Sequence, residues 1–459
     1  MKSSYNKIYD KSPIWLQNIL ISMFGYKLYR QRYGKTYKKY FNEYLNKDYS
    51  DIESEMEYQS RELQRLITHA VNNSPFYREF YRGIDTTSIK TVDDLKKLPI
   101  LEKEVLRENV EKIYTLKKEE GITGITGGTT GKSLVVVFTK DDFQKRMAYL
   151  DAFKARLGVR NGMRRATFSG RQFTTHNQKK KIFWRYNFVL KQKFYSTFDM
   201  VSENLPLYIR DLNKFKPETI NGFVSAIYDI AKFVEDNNIA LDFKPIGIFT
   251  TSETLLPFQR ELIERVFSCP VYDQYASAEG APFITECKNR NLHYNLDTGI
   301  IEPLETDYGT EMLVTSFTSY GTPLIRYRIG DMIEFSNRKC SCGNCHPLVE
   351  RIEGRQVDYL YSKERGKVSL SHLADVIKGM PNCIIAMQFI QDKIDEIEIK
   401  LVVDEKQYKE QHEHMILEEM KYRFGENMRF RFVKVNEIPK ESSGKYRLIK
   451  NSVGIGEGL

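Results

Sequence analysis

Thr126-Gly-Gly-Thr-Thr-Gly-Lys-Ser133 is the stretch on which the reading of this chain turns, and the β-branched run Leu134-Val-Val-Val-Phe138 follows it at once. Its glycines let a backbone approach phosphate oxygens closely, while the threonine hydroxyls and Lys132 offer hydrogen bonds and positive charge. Gly131-Lys132-Ser133 invites comparison with a Walker A loop. That loop requires a glycine five positions before Gly131, where this chain has Thr126, and a helix after the motif, where this chain has a strand. A P-loop kinase or ATPase is therefore disfavoured. A flexible hairpin turn would account for the glycines but not for Thr-Thr-Gly-Lys, so the stretch reads as a phosphate-binding loop set just before a strand.

Outward from the loop, strand and helix alternate. A helix is expected from Asp141. Another carries Ile227, Ile230, Ala231 and Val234. Ile246-Gly-Ile-Phe-Thr250 reads as a strand, followed by a helix bearing Phe258, Leu262, Ile263 and Val266. This alternation predicts an α/β body. Upstream, Leu63, Leu66, Ile67, Ala70 and Val71 recur at helical spacing until Asn73-Ser-Pro75 breaks the pattern, and Thr91-x-Asp-Asp opens a short helix ending near Pro99. Downstream, a second unit begins near Arg355: a helix around 371–378, strands at 384–390 and 397–403, a charged helix over 405–424, and a last strand at 429–435. It forms a small α+β domain. The division is residues 1–354, including a helical arm at 1–90, and residues 355–459.

With 459 residues the chain exceeds one compact core. A net charge of +9 fits an anionic ligand such as a nucleotide or coenzyme and does not by itself indicate nucleic acid. The most apolar segment, 13–24, is shorter than the roughly 18 residues of a membrane span, and no small-residue cleavage site follows it. A cytoplasmic location is expected. Tyr26-Lys-Leu-Tyr-Arg-Gln-Arg-Tyr33 has two readings, an amphipathic helix packed on the body or a basic, aromatic arm in peripheral contact with a membrane.

The loop resembles the Ser-Gly-Thr-Thr-Gly-Lys-Pro loop of adenylate-forming enzymes, with Gly127 and Ser133 in place of the usual Ser and Pro. Further motifs of that superfamily follow in order. Thr251-Ser-Glu-Thr254 resembles the adenine-side loop. Tyr275-Ala-Ser-Ala-Glu279 resembles Tyr-Gly-x-Thr-Glu, Tyr327-Arg-Ile-Gly-Asp331 resembles Tyr-Arg-Thr-Gly-Asp, and Gly354-Arg-Gln-Val-Asp358 resembles the hinge Gly-Arg-x-Asp-Asp. Ser443-Gly-Lys445 resembles the loop with the catalytic lysine. Segments such as His69-Ala-Val-Asn-Asn-Ser-Pro-Phe-Tyr-Arg78, Leu98-Pro-Ile-Leu-Glu-Lys103 and Pro323-Leu-Ile-Arg-Tyr-Arg328 extend the resemblance to the phenylacetate–CoA ligase family, and within it to the capsular-polysaccharide (CapK) and coenzyme F390 synthetase-like members.

The resemblance implies a large N-terminal adenylate-forming domain of mixed sheets and helices and a small mobile C-terminal domain. It implies ATP-dependent activation of a carboxylate as an acyl-adenylate, then transfer to CoA or another acceptor, in the setting of surface polysaccharide synthesis. Thr126, Gly127, Gly128, Thr129, Thr130 and Gly131 would cradle ATP together with Ser252, Glu253, Tyr275, Ala276, Asp331 and Arg355. Glu279 would hold Mg2+, and Lys132, Glu279 and Lys445 would act in catalysis. The acyl pocket is expected around 168–173, 221–226 and 249–251. Two other outcomes stand beside this one: AMP transfer to a hydroxyl, and a non-catalytic nucleotide-binding module.

Six cysteines in so long a chain do not make a disulfide scaffold, and four of them lie between Cys287 and Cys345. Cys287, His293, Cys340 and Cys342 form the preferred set for a closed structural Zn2+ site, with Cys345 or His346 as substitutes. Reduced thiols in a turn are the plain alternative.

Overall fold

The computed structural model describes residues 9, 11–125, 134–170, 173–174, 181–306, 309–355, 359–364, 366–369, 373, 376, 383–439 and 447–453. Strands β1 (Ile122–Ile125) and β2 (Val135–Phe138) pair antiparallel and flank the glycine-rich loop, which itself lies outside the described residues. Thr139 then caps the helix Lys140–Arg156 in a reciprocal box with Asp142, and Asp141 and Asp142 sit on its positive end. Such a cap is worth about 1 kcal/mol.

A six-stranded sheet follows: β3 (Arg165–Ser169), β4 (Trp184–Asn187), β5 (Gln192–Ser196), β6 (Thr219–Gly222), β7 (Gly247–Thr250) and β8 (Val271–Tyr272), in spatial order β4-β5-β3-β6-β7-β8. All neighbours are parallel except β4 with β5. One face buries Ala166, Phe168, Ile220, Ile248 and Val271 against Tyr208, Leu212, Ile227, Ile230 and Ile263 of the helices Leu205–Phe215, Val224–Asp236 and Pro257–Phe267. On the opposite face Phe249 and Tyr272 meet Phe153 of the helix Lys140–Arg156.

An antiparallel sheet of seven strands completes the body: β9 (Gln274–Tyr275), β10 (Ile284–Glu286), β11 (Leu292–Tyr294), β12 (Gly299–Thr306), β13 (Gly309–Ser316), β14 (Tyr327–Ser336) and β15 (Leu348–Arg355), in order β12-β13-β14-β15-β11-β10-β9. Met312, Val314, Ile329 and Ile333 share a core with Leu63, Leu66, Ile67 and Ala70 of the helix Ile52–Asn73. That helix ends where Asn73-Ser-Pro75 predicts, because Ser74 caps a new helix, Pro75–Phe80. At Thr91 the expected cap is reversed: the Asp94 carboxylate accepts the backbone N–H groups of Lys90 and Thr91, and a short 3-10 turn spans Asp93–Lys97.

The C-terminal residues form β16 (Tyr359–Ser362) paired with β17 (Gly366–Ser369), and a four-stranded sheet of β18 (Ile384–Lys393), β19 (Glu396–Val403), β20 (Arg429–Lys434) and β21 (Ile449–Asn451), in order β20-β19-β18-β21. Ile397, Ile399 and Leu401 alternate inward along β19, as their spacing predicts, against Ile416, Met420 and Phe424 of the helix Glu410–Phe424. This helix starts five residues later than the charge pattern suggests. Asp404 accepts the backbone N–H of Lys406, a local turn that competes with helix. Of the helix expected around 371–378, only Leu373 and Val376 are described, both helical and buried. The molecule is thus an α/β body joined to a small α+β unit with its own apolar core.

The helix Ile14–Arg32 of the N-terminal arm packs on the body, where the backbone N–H of Tyr186 donates to Asn18 Oδ1 at 3.0 Å. No helix among the described residues is long and apolar enough to cross a membrane.

Candidate active site and metal centre

The parallel strands β6 and β7 deliver the loop 251–254 at their carboxyl ends, the edge where open α/β sheets bind ligands. Ser252 adopts a left-handed backbone (φ 68°), which turns the loop sharply. The Glu253 carboxylate accepts the Ser225 backbone N–H at 2.7 Å and the Ser225 hydroxyl at 3.0 Å, so it caps the helix Val224–Asp236 and ties the loop to it.

Tyr275 leaves β9 with its phenol donating to Asp331 Oδ2 at 2.6 Å, which joins two motifs 56 residues apart. Asp331 on β14 is in register with Arg355 on β15, so the third motif meets the backbone of the hinge motif; the Arg355 side chain lies outside what is described. Past Tyr275 the chain turns at Ser277, whose Oγ accepts the N–H groups of Gly280 and Ala281 at 3.1 and 2.9 Å. Ala276 and Ala278 are exposed and Glu279 is buried. Gly280 needs its positive φ of 105° and its missing Cβ, which would lie 2.9 Å from the Phe138 ring. A Cβ on Gly124 would likewise lie 2.9 Å from the Ala278 carbonyl oxygen, so the hairpin base that leads into residues 126–133 abuts this turn.

Arg146 holds the turn from below, and sequence reasoning missed it. Its guanidinium, on the helix Lys140–Arg156, donates to the carbonyl of Gly280 at 2.9 Å and to Thr318 Oγ1 at 2.8 Å, with a longer bond to the Ser277 carbonyl. Burial pulls its pKa down to about 10, while the charges of Asp142, Glu279 and Tyr275 push it back up. Its local sequence, Gln144-Lys-Arg-Met147, looks like any charged helix face, so only the fold exposes its role. Of the other expected site residues, Thr126, Gly127, Gly128, Thr129, Thr130, Gly131, Lys132 and Lys445 lie outside the described residues.

The second constellation sits where β10, β11 and β15 pair. The ligand atoms of Cys287, His293, Cys340 and Cys342 all lie within 4.8 Å of one another. Cys287 Sγ is 3.6 Å from Cys340 Sγ, and Cys342 Sγ is 3.5 Å from His293 Nε2. Tetrahedral zinc with bonds of about 2.0–2.3 Å sets its ligands roughly 3.5–3.8 Å apart, so the donor set fits. His293 is buried, which disfavours its cation, and its Nδ1 bonds to the His346 carbonyl at 3.1 Å, leaving Nε2 aimed at the thiols. Between the alternatives, the fold sends Cys345 and His346 elsewhere. The Cys345 N–H donates to Tyr49 O at 2.7 Å, and the His346 ring lies 3.3 Å from the Glu55 carboxylate.

An α/β body with this ordered set of motifs and a small α+β unit is the architecture of the adenylate-forming acid–CoA ligases. A 2-hydroxyisobutyryl-CoA ligase, solved in the postadenylation state, superimposes with a TM-score of 0.72 at 15% identity over 88% of this chain and 91% of that one. Residues 360–452 match the model of the CapK C-terminal domain. Protein CapK of Staphylococcus aureus is 40% identical over 451 residues, covering 98% of this chain and 99% of the relative. The phenylacetate-coenzyme A ligase of Thermus thermophilus is 24% identical over 392 residues, 79% of this chain and 84% of that protein. The chain belongs to the family of protein CapK, and it shares the fold of the 2-hydroxyisobutyryl-CoA ligase.

Proposed function

We propose that the chain activates a carboxylic acid with ATP and passes the acyl group to CoA or another acceptor. A carboxylate oxygen attacks the α-phosphorus, the bond from that phosphorus to the bridging oxygen breaks, and pyrophosphate leaves. The acceptor then attacks the acyl carbonyl and AMP departs. Both partners of the first step are anions, so positioning and charge neutralisation must supply the acceleration. In this reading Thr126–Gly131 and Lys132 cradle the β- and γ-phosphates, Ser252 and Glu253 border the adenine, Tyr275 and Ala276 lie on it, and Asp331 accepts the ribose hydroxyls. Arg355 closes over the nucleotide, and Lys445 bridges the carboxylate and phosphoryl oxygens. Bound Mg2+, held through the hard oxygens of Glu279, would offset phosphate charge. Arg146 keeps the Glu279 turn in place.

We place the domain boundary at 354/355, so that residues 355–459 act as a lid delivering Lys445. Cys287, His293, Cys340 and Cys342 hold a structural Zn2+. A cytoplasmic enzyme with a role in surface polysaccharide synthesis fits the branch, an associational argument.

The observation that carries this reading is the convergence of Tyr275, Asp331 and the Glu279 turn beside the hairpin leading into residues 126–133. The test is ATP–pyrophosphate exchange across aryl, fatty, sugar and amino acids, with Lys445→Ala as control. Exchange supported by one class of acid and lost in the variant names the substrate. ATP binding with no exchange, and AMP retained on a hydroxylated product, would replace acyl transfer with nucleotidyl transfer. Absence of ATP binding would sink the enzyme reading.

A further inference from the structure

The helix Ile14–Arg32 is packed with its polarity inverted. The positions it buries most deeply are Gln17, Ser22 and Gly25. These grip the β4–β5 hairpin by hydrogen bonding: Arg185 Nε donates to Gln17 Oε1 at 2.5 Å, and the Phe188 N–H donates to Ser22 Oγ at 3.0 Å. Gly25 lies so close to Asn187 that a Cβ there would sit 2.2 Å from its amide nitrogen. Six large apolar side chains of the helix remain exposed. Trp15 is 64% exposed, Met23 62%, Tyr26 55% and Phe24 54%, with Ile19 and Tyr29 above 40%. Trp15, Ile19, Met23 and Tyr26 recur at i, i+4, i+8 and i+11 and so make one stripe.

Ser22 brings the hairpin tip beside that stripe, where Phe188 and Val189 are also exposed. Eight of the fifteen exposed large hydrophobic residues among the described residues belong to this helix and hairpin. Soluble surfaces scatter such residues singly; gathering them in one patch marks a contact surface.

Charge selects the partner. From Lys11 to Asn42 the chain holds seven lysines and arginines and no acidic residue, and the hairpin segment 181–193 is likewise free of acids. Lys11, Lys27, Arg30, Lys38, Lys39 and Lys191 are exposed. An apolar stripe with tryptophan and tyrosine, on segments that carry cations and no acid of their own, matches the boundary between headgroups and acyl chains of an anionic bilayer. We propose that the helix Ile14–Arg32 and the 188–191 hairpin tip together form a docking surface for a membrane rich in anionic lipid. The rest of the body stays in water. This surface goes beyond the adenylation reading and does not depend on it.

The test is co-sedimentation of the full chain with phosphatidylglycerol–phosphatidylcholine vesicles and with phosphatidylcholine alone, at low and high salt. Association is expected with the anionic vesicles, weaker in high salt through screening. The double substitution Trp15→Ser with Met23→Ser, at unchanged melting temperature, is expected to weaken it about tenfold or more. In a Trp184→Phe background Trp15 is the remaining tryptophan, and its emission should shift to the blue on binding. Binding indifferent to anionic lipid, or unaffected by the double substitution, overturns the proposal. So does a concentration-dependent dimer that the double substitution abolishes in a chain that ignores vesicles, because the patch then belongs to a second copy.

Discussion

The seven-stranded sheet carries two constellations, and they are built differently. Around Tyr275 and Asp331 the described side chains make half a site. Carboxylates, a phenol and a backbone turn converge from β9, β14 and the helix Lys140–Arg156, while the strongest sequence motifs belong to the loop 126–133 and to residues 443–445. Around Cys287 four donors meet one another at distances suited to a single ion and leave no position over. The first draws its groups from separate elements far apart in the chain. The second is closed, as a staple requires. Changes at the first should therefore alter turnover more than stability, and changes at the second should do the reverse.

The largest effect is expected from Lys445→Ala, which should lower pyrophosphate exchange about 100- to 1000-fold with little change in melting temperature. A matching loss of stability would break the contrast. Next, Cys287→Ser should release bound zinc, measured by metal analysis, and lower stability by about 3 kcal/mol, with a strong chelator giving the same shift on the unaltered chain. Loss of exchange at intact stability would instead place this cluster in the chemistry.

Arg146→Met sharpens the contrast, because it removes the guanidinium bonds to the buried Gly280 carbonyl and Thr318 hydroxyl and leaves Ser316 to hold both. It should cost about 2 kcal/mol of stability and raise KM for ATP, and Arg146→Lys should recover part of both.

Asp273 links the two regions, since its N–H donates to Glu286, the neighbour of Cys287, and its carboxylate accepts from Thr250 at the end of β7. Burial, with the Glu286 charge, pushes its pKa up to about 6. The folded state then holds the proton more tightly than the unfolded chain. This contribution is present below the ordinary carboxylate pKa and is lost as pH rises to about 6. Asp273→Asn should remove about 1–2 kcal/mol of that slope between pH 4 and 6 in denaturation curves. The smallest effect is expected from Tyr275→Phe. Losing one hydrogen bond to Asp331 should weaken ATP binding by about 1 kcal/mol, read as a several-fold rise in KM.

Much of this was legible in one dimension. The helix breaks at Asn73-Ser-Pro75 and the inward alternation of β19 are local matters of capping and side-chain period, which spacing records faithfully. The long antiparallel strands β12–β15 were not anticipated from periodicity. Strands of a sheet sandwiched in a core lack a clean alternation, and their pairing is decided by partners elsewhere in the chain.

The amino-acid sequence by itself determined the kind of protein: the order of its motifs, the α/β body with a small α+β unit after it, and the residue types able to hold phosphate or zinc. Only the tertiary structure decided which groups meet. Pairing of β11 with β15 brings the thiols of Cys340 and Cys342, rather than the Cys345 thiol or the His346 ring, to the His293 Nε2 side, and packing places Arg146 under the Glu279 turn. It also turns the apolar stripe of the helix Ile14–Arg32 outward, because hydrogen bonds from the β4–β5 hairpin claim Gln17 and Ser22. Local propensity depends on near neighbours in the chain, whereas these contacts join residues tens to hundreds of positions apart and exist only once strands have found their register.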